Sequence, residues 1–165
     1  MADLLLWSKD RRFGLSLKES ILQNGIKQCV NAECQETGGI LIGYYTPKHD
    51  CAVVTALSEP PEDSIKKPTL FVRGTLGIQN LINRAWQRHK HFYLGEWHFH
   101  PRGASIPSQS DLDQMRKLSK ESKLKCPEPI LLIIGGDPND TWTVNAYVFP
   151  ANQACVPLFD DSQLI

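Results

Sequence analysis

The sequence predicts one layered α/β domain over residues 1–165, on three observations. Apolar residues recur at helical spacing in separate stretches, and β-branched and aromatic runs of strand length lie between Pro-, Gly- and Asp-rich breaks. The two kinds of segment alternate along the chain, with no internal repeats or low-complexity tails. The order reads helix, strand, strand, helix, strand, helix, strand, strand.

The first helix is expected over about residues 17–30, where Ile21, Leu22, Ile26 and Val30 share one face. Strands follow at 39–46 and 52–58. Residues 59–68 hold too much proline and charge for a core element, and they run into the short stretch Thr69, Leu70, Phe71, Val72, Arg73. The strongest helical pattern comes next, with Ile78, Leu81, Ile82, Ala85 and Trp86 in one stripe; this stripe and the first are read as core. A strand is expected at 92–100, where the aromatic run Phe92, Tyr93 favours extended backbone and Pro101 stops it. A turn-rich loop over 102–107 leads to a helix carrying Leu112, Met115 and Leu118, and strands at 130–134 and 141–149 complete the chain.

Eighteen basic residues balance eighteen acidic ones, so a polyanion-binding role is disfavoured, and no basic patch interleaved with aromatics suggests nucleic acid. Cys29, Cys34, Cys51, Cys126 and Cys155 are odd in number and form no Cys-x-x-Cys pair, as expected of reduced thiols in a cytoplasmic protein. The run Leu4, Leu5, Leu6, Trp7 is too short for a signal sequence, and no apolar stretch reaches membrane-spanning length. No membrane partner is expected.

The chemistry concentrates in Glu96-Trp97-His98-Phe99-His100-Pro101, followed by Ser108-Gln109-Ser110-Asp111. On a strand, side chains alternate faces, so His98 and His100 point the same way and Phe99 points into the core. Same-face neighbours lie roughly 6 to 7 Å apart at Cα, and their imidazoles can converge on an ion at about 2 Å. Asp111 falls in the first turn of the next helix. Taken alone, Ser108 and Asp111 would be a capping box, the Ser-x-x-acid signature of a helix start that needs no metal. Joined by a short loop to a His-x-His pair, the same aspartate completes a set of two nitrogens and one carboxylate, which suits zinc and leaves a position open for water. Peptide hydrolysis also needs a group that moves protons, and three glutamates are candidates. Glu96 shares the histidines' face, whereas Glu33 and Glu36 precede the apolar run from Gly39 to Tyr45. Spacing does not choose among them.

Glu36-Thr37-Gly38-Gly39-Ile40-Leu41-Ile42-Gly43, then His98-x-His100-Pro101, seven residues to Ser108 and two to Asp111, resembles the JAMM (MPN+, JAB-domain) metalloprotease family at every motif position. The resemblance spans nearly the whole chain. It implies a mixed sheet flanked by helices, similar to the cytidine-deaminase-like architecture, and zinc-dependent isopeptidase or peptidase activity. It also implies one zinc held by His98, His100 and Asp111, Glu36 holding the catalytic water as general base and then acid, and Ser108 stabilising the oxyanion. Phe99 stands where many eukaryotic members carry Ser or Thr, and Gly95-Glu96-Trp97 looks like bacterial members. Among these, the chain is similar to the proteases encoded beside E1-like and E2-like enzymes in antiphage (CBASS) operons. Those proteases act on conjugates joined through a protein's C-terminus.

The implied substrate is a ubiquitin-like protein or a C-terminally conjugated protein, with E1/E2-like enzymes as further partners. In the family, a segment at the place of Phe71, Val72 and Arg73 can pair with a substrate's extended tail by strand addition, and these three are the expected substrate-binding residues. The alternatives are a peptidase for a sulfur-carrier protein or small peptide, a non-enzymatic scaffold, and a zinc nucleobase deaminase. The last is signed by His-x-Glu with a later Pro-Cys-x-x-Cys. Cys126 has no partner three residues on, so the deaminase pattern is not met.

Overall fold

The computed structural model describes residues 2–164. Two short antiparallel strands, β1 (Leu4–Trp7) and β2 (Gly14–Leu17), precede α1 (Glu19–Ala32). The hairpin-like pair β3 (Thr37–Tyr45) and β4 (Cys51–Leu57) follows, then a separate two-stranded ribbon, β5 (Ile65–Lys67) and β6 (Leu70–Val72). After α2 (Ile78–His89) come β7 (Phe92–Pro101), α3 (Gln109–Ser119), β8 (Ile130–Gly136), β9 (Trp142–Val148) and β10 (Val156–Asp160). The sheet is mixed: β2 runs parallel to β4 and β7 parallel to β8, and the remaining pairings are antiparallel.

The sheet order β1-β10-β9-β8-β7-β3-β4-β2 closes on itself. The strands that close it are the three the sequence pattern does not announce. β1 is a four-residue apolar run without alternation, β10 contains Pro157, and β2 merges into the helix that follows. The helix therefore starts at Glu19, not at Leu17, because Leu17 is the last residue of β2 and pairs with Leu4 and Val54.

Alternation divides each central strand between two layers. Ile130, Leu132 and Ile134 of β8 join Trp97 and Phe99 of β7 and Leu22, Ile26 and Cys29 of α1 in the main core. The intervening Leu131 and Ile133 pack under Met115 of α3. A third cluster gathers Ile40, Ile42 and Tyr93 under Ile78 of α2, with Leu81, Ile82 and Ala85 partly buried around it. Trp86, read from sequence as part of that core stripe, is 50% exposed, with the Lys90 ammonium 4.9 Å from its ring and the Phe92 ring tilted against it at 6.4 Å. It stands at the end of α2, beyond the sheet face that buries the rest.

β7 carries an irregularity that shapes the site. Leu41 pairs with Gly95 and Ile42 with Tyr93, so Leu94 is an extra residue and the alternation shifts by one. Gly95 adopts φ +148, and a Cβ there would lie 1.9 Å from the Ile130 carbonyl oxygen, so only glycine fits. Because of the bulge, Tyr93 and Glu96, three apart, face the same side.

Candidate metal centre

Beyond the bulge, Glu96, His98 and His100 project from one face of β7, and Trp97 and Phe99 from the other. β3 flanks this face on one side, with Gly38 opposite His98, and β8 on the other, with Ile133 opposite His98. Gly38 is a close-approach position. A Cβ there would fall 2.2 Å from the Trp97 carbonyl oxygen, 2.7 Å from the Phe71 ring and 3.0 Å from the His98 ring. Continuing the register by one residue past Thr37 and Phe99 sets Glu36 across from His100.

The chain leaves β7 through Arg102, in the left-handed region at φ 57, and is then tied down. Ser105, 3% exposed, bonds Thr143 Oγ1 at 2.9 Å, accepts from Asn145 Nδ2 at 2.9 Å, and its carbonyl accepts from Tyr147 Oη at 3.0 Å. The loop over 102–107 is thus latched to β9 and delivers Ser108 as the N-cap of α3. The capping box forms in full. The Asp111 N–H donates to Ser108 Oγ at 3.1 Å, and Asp111 Oδ2 accepts from both the Ser108 N–H and hydroxyl at 2.8 Å. The cap and the ligand set, weighed as rivals from sequence, coexist: the box fixes the aspartate, and the aspartate faces the histidines.

His98 Nδ1 lies 2.7 Å from Asp111 Oδ1, and His100 Nε2 lies 3.2 Å from Asp111 Oδ2. One donor atom from each of His98, His100 and Asp111 lies within 4.8 Å of the other two, and all three residues are buried. Nδ1 of His100 faces the Ala104 carbonyl oxygen at 3.2 Å, which fixes its proton there and leaves Nε2 with a bare lone pair. Nε2 of His98 and Nε2 of His100 are buried without a hydrogen-bond partner. Orphaned buried nitrogens carry a desolvation penalty that an ion would remove, so this donor set fits a metal. Although burial pushes the Asp111 carboxyl up, the His100 and His98 imidazoles beside it and the Ser108 N–H more than reverse that and hold it well below the usual carboxylate range. The carboxylate is therefore ionised throughout the physiological range, as a ligand must be.

The three candidate glutamates separate clearly. Glu36 stands half-buried at the rim, where burial raises its carboxyl above the usual value, the His100 charge opposes that and the Asp111 charge adds to it. No other side chain pairs with it or hydrogen-bonds it among the described residues; the Phe71 backbone N–H acts on it and draws its carboxyl back down a little. Glu33 is exposed and follows α1 as its C-cap. Glu96 is fully buried, accepting from Arg73 Nε at 2.6 Å and from Tyr93 Oη at 2.8 Å. Phe71 is buried edge-on against the His98 ring, 5.2 Å between centroids, so the β5–β6 ribbon sits directly over the histidine. The Arg73 side chain turns inward to Glu96, and of the three expected substrate-binding residues only Val72 is exposed. Sequence reading left Tyr93 and Ser105 without a role. Tyr93 was hidden by the bulge, and Ser105 by lying in a loop whose partners are some forty residues away.

The cysteines are all unpaired, as expected of free thiols. No helix among the described residues is long and apolar enough to cross a membrane.

A family model described as prokaryotic homologs of the JAB domain matches residues 18–147. Over 156 residues, covering 94% of this chain and 86% of the relative, the sequence is 33% identical to the CD-NTase/cGAS isopeptidase of Enterobacter hormaechei subsp. hoffmannii. It is 25% identical to the "Probable metalloprotease y4qB" of Sinorhizobium fredii, over 80% of this chain and 81% of that one. The fold is similar to the solution structure of protein DSY2949 from Desulfitobacterium hafniense, with a TM-score of 0.57 at 15% identity, covering 87% of this chain and 86% of that one.

Proposed function

The chain belongs to the prokaryotic homologs of the JAB domain and is a JAMM-type metalloprotease, and on that premise we propose that it is a zinc isopeptidase with Glu36 as its proton carrier. The observation that carries the proposal is the convergence of His98, His100 and Asp111, with two orphaned imidazole nitrogens, next to a carboxylate that no other side chain engages. His98, His100 and Asp111 would hold the ion; when bound, zinc lowers the pKa of water and polarises a carbonyl.

The remaining work falls to side chains. Glu36 accepts a proton from the attacking water and returns it to the departing amine, so the peptide or isopeptide bond yields a carboxylate and an amine. A carboxyl raised by burial holds that proton better than an exposed one. Ser108, whose hydroxyl donates to Asp111 Oδ2 in this structure, swings to donate to the oxyanion as the carbonyl is attacked. The edge of β6 away from β5, at Phe71 and Val72 and on to Arg73 just past the strand's end, accepts the extended tail of the substrate as an added strand.

The relative named for CD-NTase/cGAS supports a conjugated protein as substrate, released at the bond after its C-terminus. The same likeness supports a place in antiphage (CBASS) defence, with E1-like and E2-like enzymes making the conjugate. The test is zinc content by mass spectrometry on wild type, Asp111→Ala and Glu36→Ala, each assayed on a ubiquitin-like or CD-NTase protein carrying a C-terminal fusion. Stoichiometric zinc in wild type, its loss in Asp111→Ala, and zinc without cleavage in Glu36→Ala are expected. Cleavage by Glu36→Ala at the wild-type rate would refute the glutamate's role.

A further inference from the structure

The ribbon β5–β6 belongs to a sheet of its own and shares no strand pairing with the barrel, yet it supplies the ring that packs on His98. Two residues past that ring, Arg73 leaves the ribbon and reaches into the protein. Its Nε donates to Glu96 Oε2 at 2.6 Å, its Nη1 donates to the Gly74 carbonyl at 2.7 Å, and the other oxygen of Glu96 accepts from Tyr93 Oη at 2.8 Å. The side chains of Arg73 and Glu96 are 8% and 0% exposed. Around them, Ser64 Oγ accepts from the Gly74 N–H, and the Asp63 carboxylate accepts from the Thr75 and Leu76 N–H groups, so the start of the ribbon is stapled to the segment that leaves it.

A buried ion pair is poor value as a stabiliser, because desolvating two charges offsets most of their attraction. What a guanidinium shared between a carboxylate and a backbone carbonyl does supply is direction, since its planar geometry admits few placements. Glu96 stands on the same strand and the same face as His98 and His100, two residues before the first. Resting on the strand-addition reading above, we propose that Arg73, Glu96 and Tyr93 form a positioning clamp that fixes the ribbon's height over the metal face. The strand edge offered to a substrate tail and the histidines that act on it thereby move as one body. None of the three touches the reacting atoms. Their effect passes through β6 to the tail and through Phe71 to His98.

The experiment compares wild type with the apolar double variant Arg73→Met/Glu96→Leu, which removes both charges and leaves neither unpaired. Tyr93→Phe and Arg73→Lys stand beside it as milder changes. Hydrogen–deuterium exchange and zinc content are measured on the full chain, together with kcat and KM on the C-terminal fusion substrate. The clamp predicts exchange about tenfold faster in residues 65–73 with the amides of β7 and β8 still protected, and KM raised about tenfold with the loss falling on KM more than on kcat. Tyr93→Phe should lie between, and Arg73→Lys should raise KM less than the double variant does. Exchange in the ribbon unchanged from wild type would overturn the clamp. So would a looser ribbon with wild-type KM, since the tail would then not depend on it. A wild-type enzyme inert on the fusion would strike at the proposed function instead, and the exchange data would still test the clamp.

Discussion

Glu36, just before β3, and Glu96, on β7, are carboxylates at one site, and the protein treats them in opposite ways. Glu96 is sealed from water and spends both oxygens on a guanidinium and a phenol, so its position is locked. Glu36 stands at the rim with no side-chain partner, pushed up by burial and surrounded by His98, His100 and Asp111. A group that must take and release a proton within one turnover needs that freedom, and a group that must hold two elements in register needs the opposite. The difference teaches that face parity, which Glu96 shares with the histidines, ranks below hydrogen-bond occupancy when a proton carrier is sought.

The strongest way to break this comparison is to neutralise each in turn. Glu36→Gln should lower kcat by about a thousandfold, with zinc content and melting temperature close to wild type. An equal loss from Glu96→Gln at unchanged stability would collapse the distinction. The expected outcome for Glu96→Gln is structural, a loss of about 3 kcal/mol in urea unfolding, because Arg73 is left buried without its counter-charge. Gly95→Ala sharpens the contrast from the backbone side. Its Cβ cannot fit beside the Ile130 carbonyl and its φ is strained, so about 2 kcal/mol should be lost as the bulge is forced out and Tyr93 turns from Glu96. A crystal structure of that variant with the Tyr93–Glu96 bond intact would show that the bulge does not set it.

The smallest effect is one of pH. Hydrogen bonds from the Thr75 and Leu76 N–H groups hold the Asp63 carboxyl below its usual value of 3.8. Its contribution to closing the ribbon is therefore complete above that value and is lost as the pH falls through the lower value of the folded protein. Backbone exchange at residues 74–76 should rise in that acid window, and in Asp63→Asn the rise should vanish. If Asp63→Asn keeps the same acid step, another group closes the ribbon.

Much of the site was legible because its parts are local. His98 and His100 share a strand, Asp111 lies eleven residues beyond His100, and period-2 alternation and helix-start chemistry place them without reference to the rest of the chain. The clamp was not legible, because it joins Tyr93, Glu96 and Arg73 across a bulge and a ribbon, and the bulge inverts the parity by which sequence reading sorts faces. For the same reason Phe71 and Arg73 read as surface residues awaiting a substrate, when both side chains are committed to the protein itself. The strands β1, β2 and β10 were missed because four- and five-residue segments, one holding a proline, carry too little pattern to stand apart from loops.

The Leu94–Gly95 bulge also acts as a firebreak. A strand transmits any one-residue insertion or deletion along its whole length, turning every later side chain to the wrong face. By taking up one residue between the α2-facing half of β7 and its histidine-bearing half, the bulge resets the alternation once, so that the face under α2 and the face that carries His98 and His100 are the same side of the sheet. The half of the strand that packs a helix and the half that bears the histidines thus keep separate alternations, joined across the bulge by the bond from Tyr93 to Glu96.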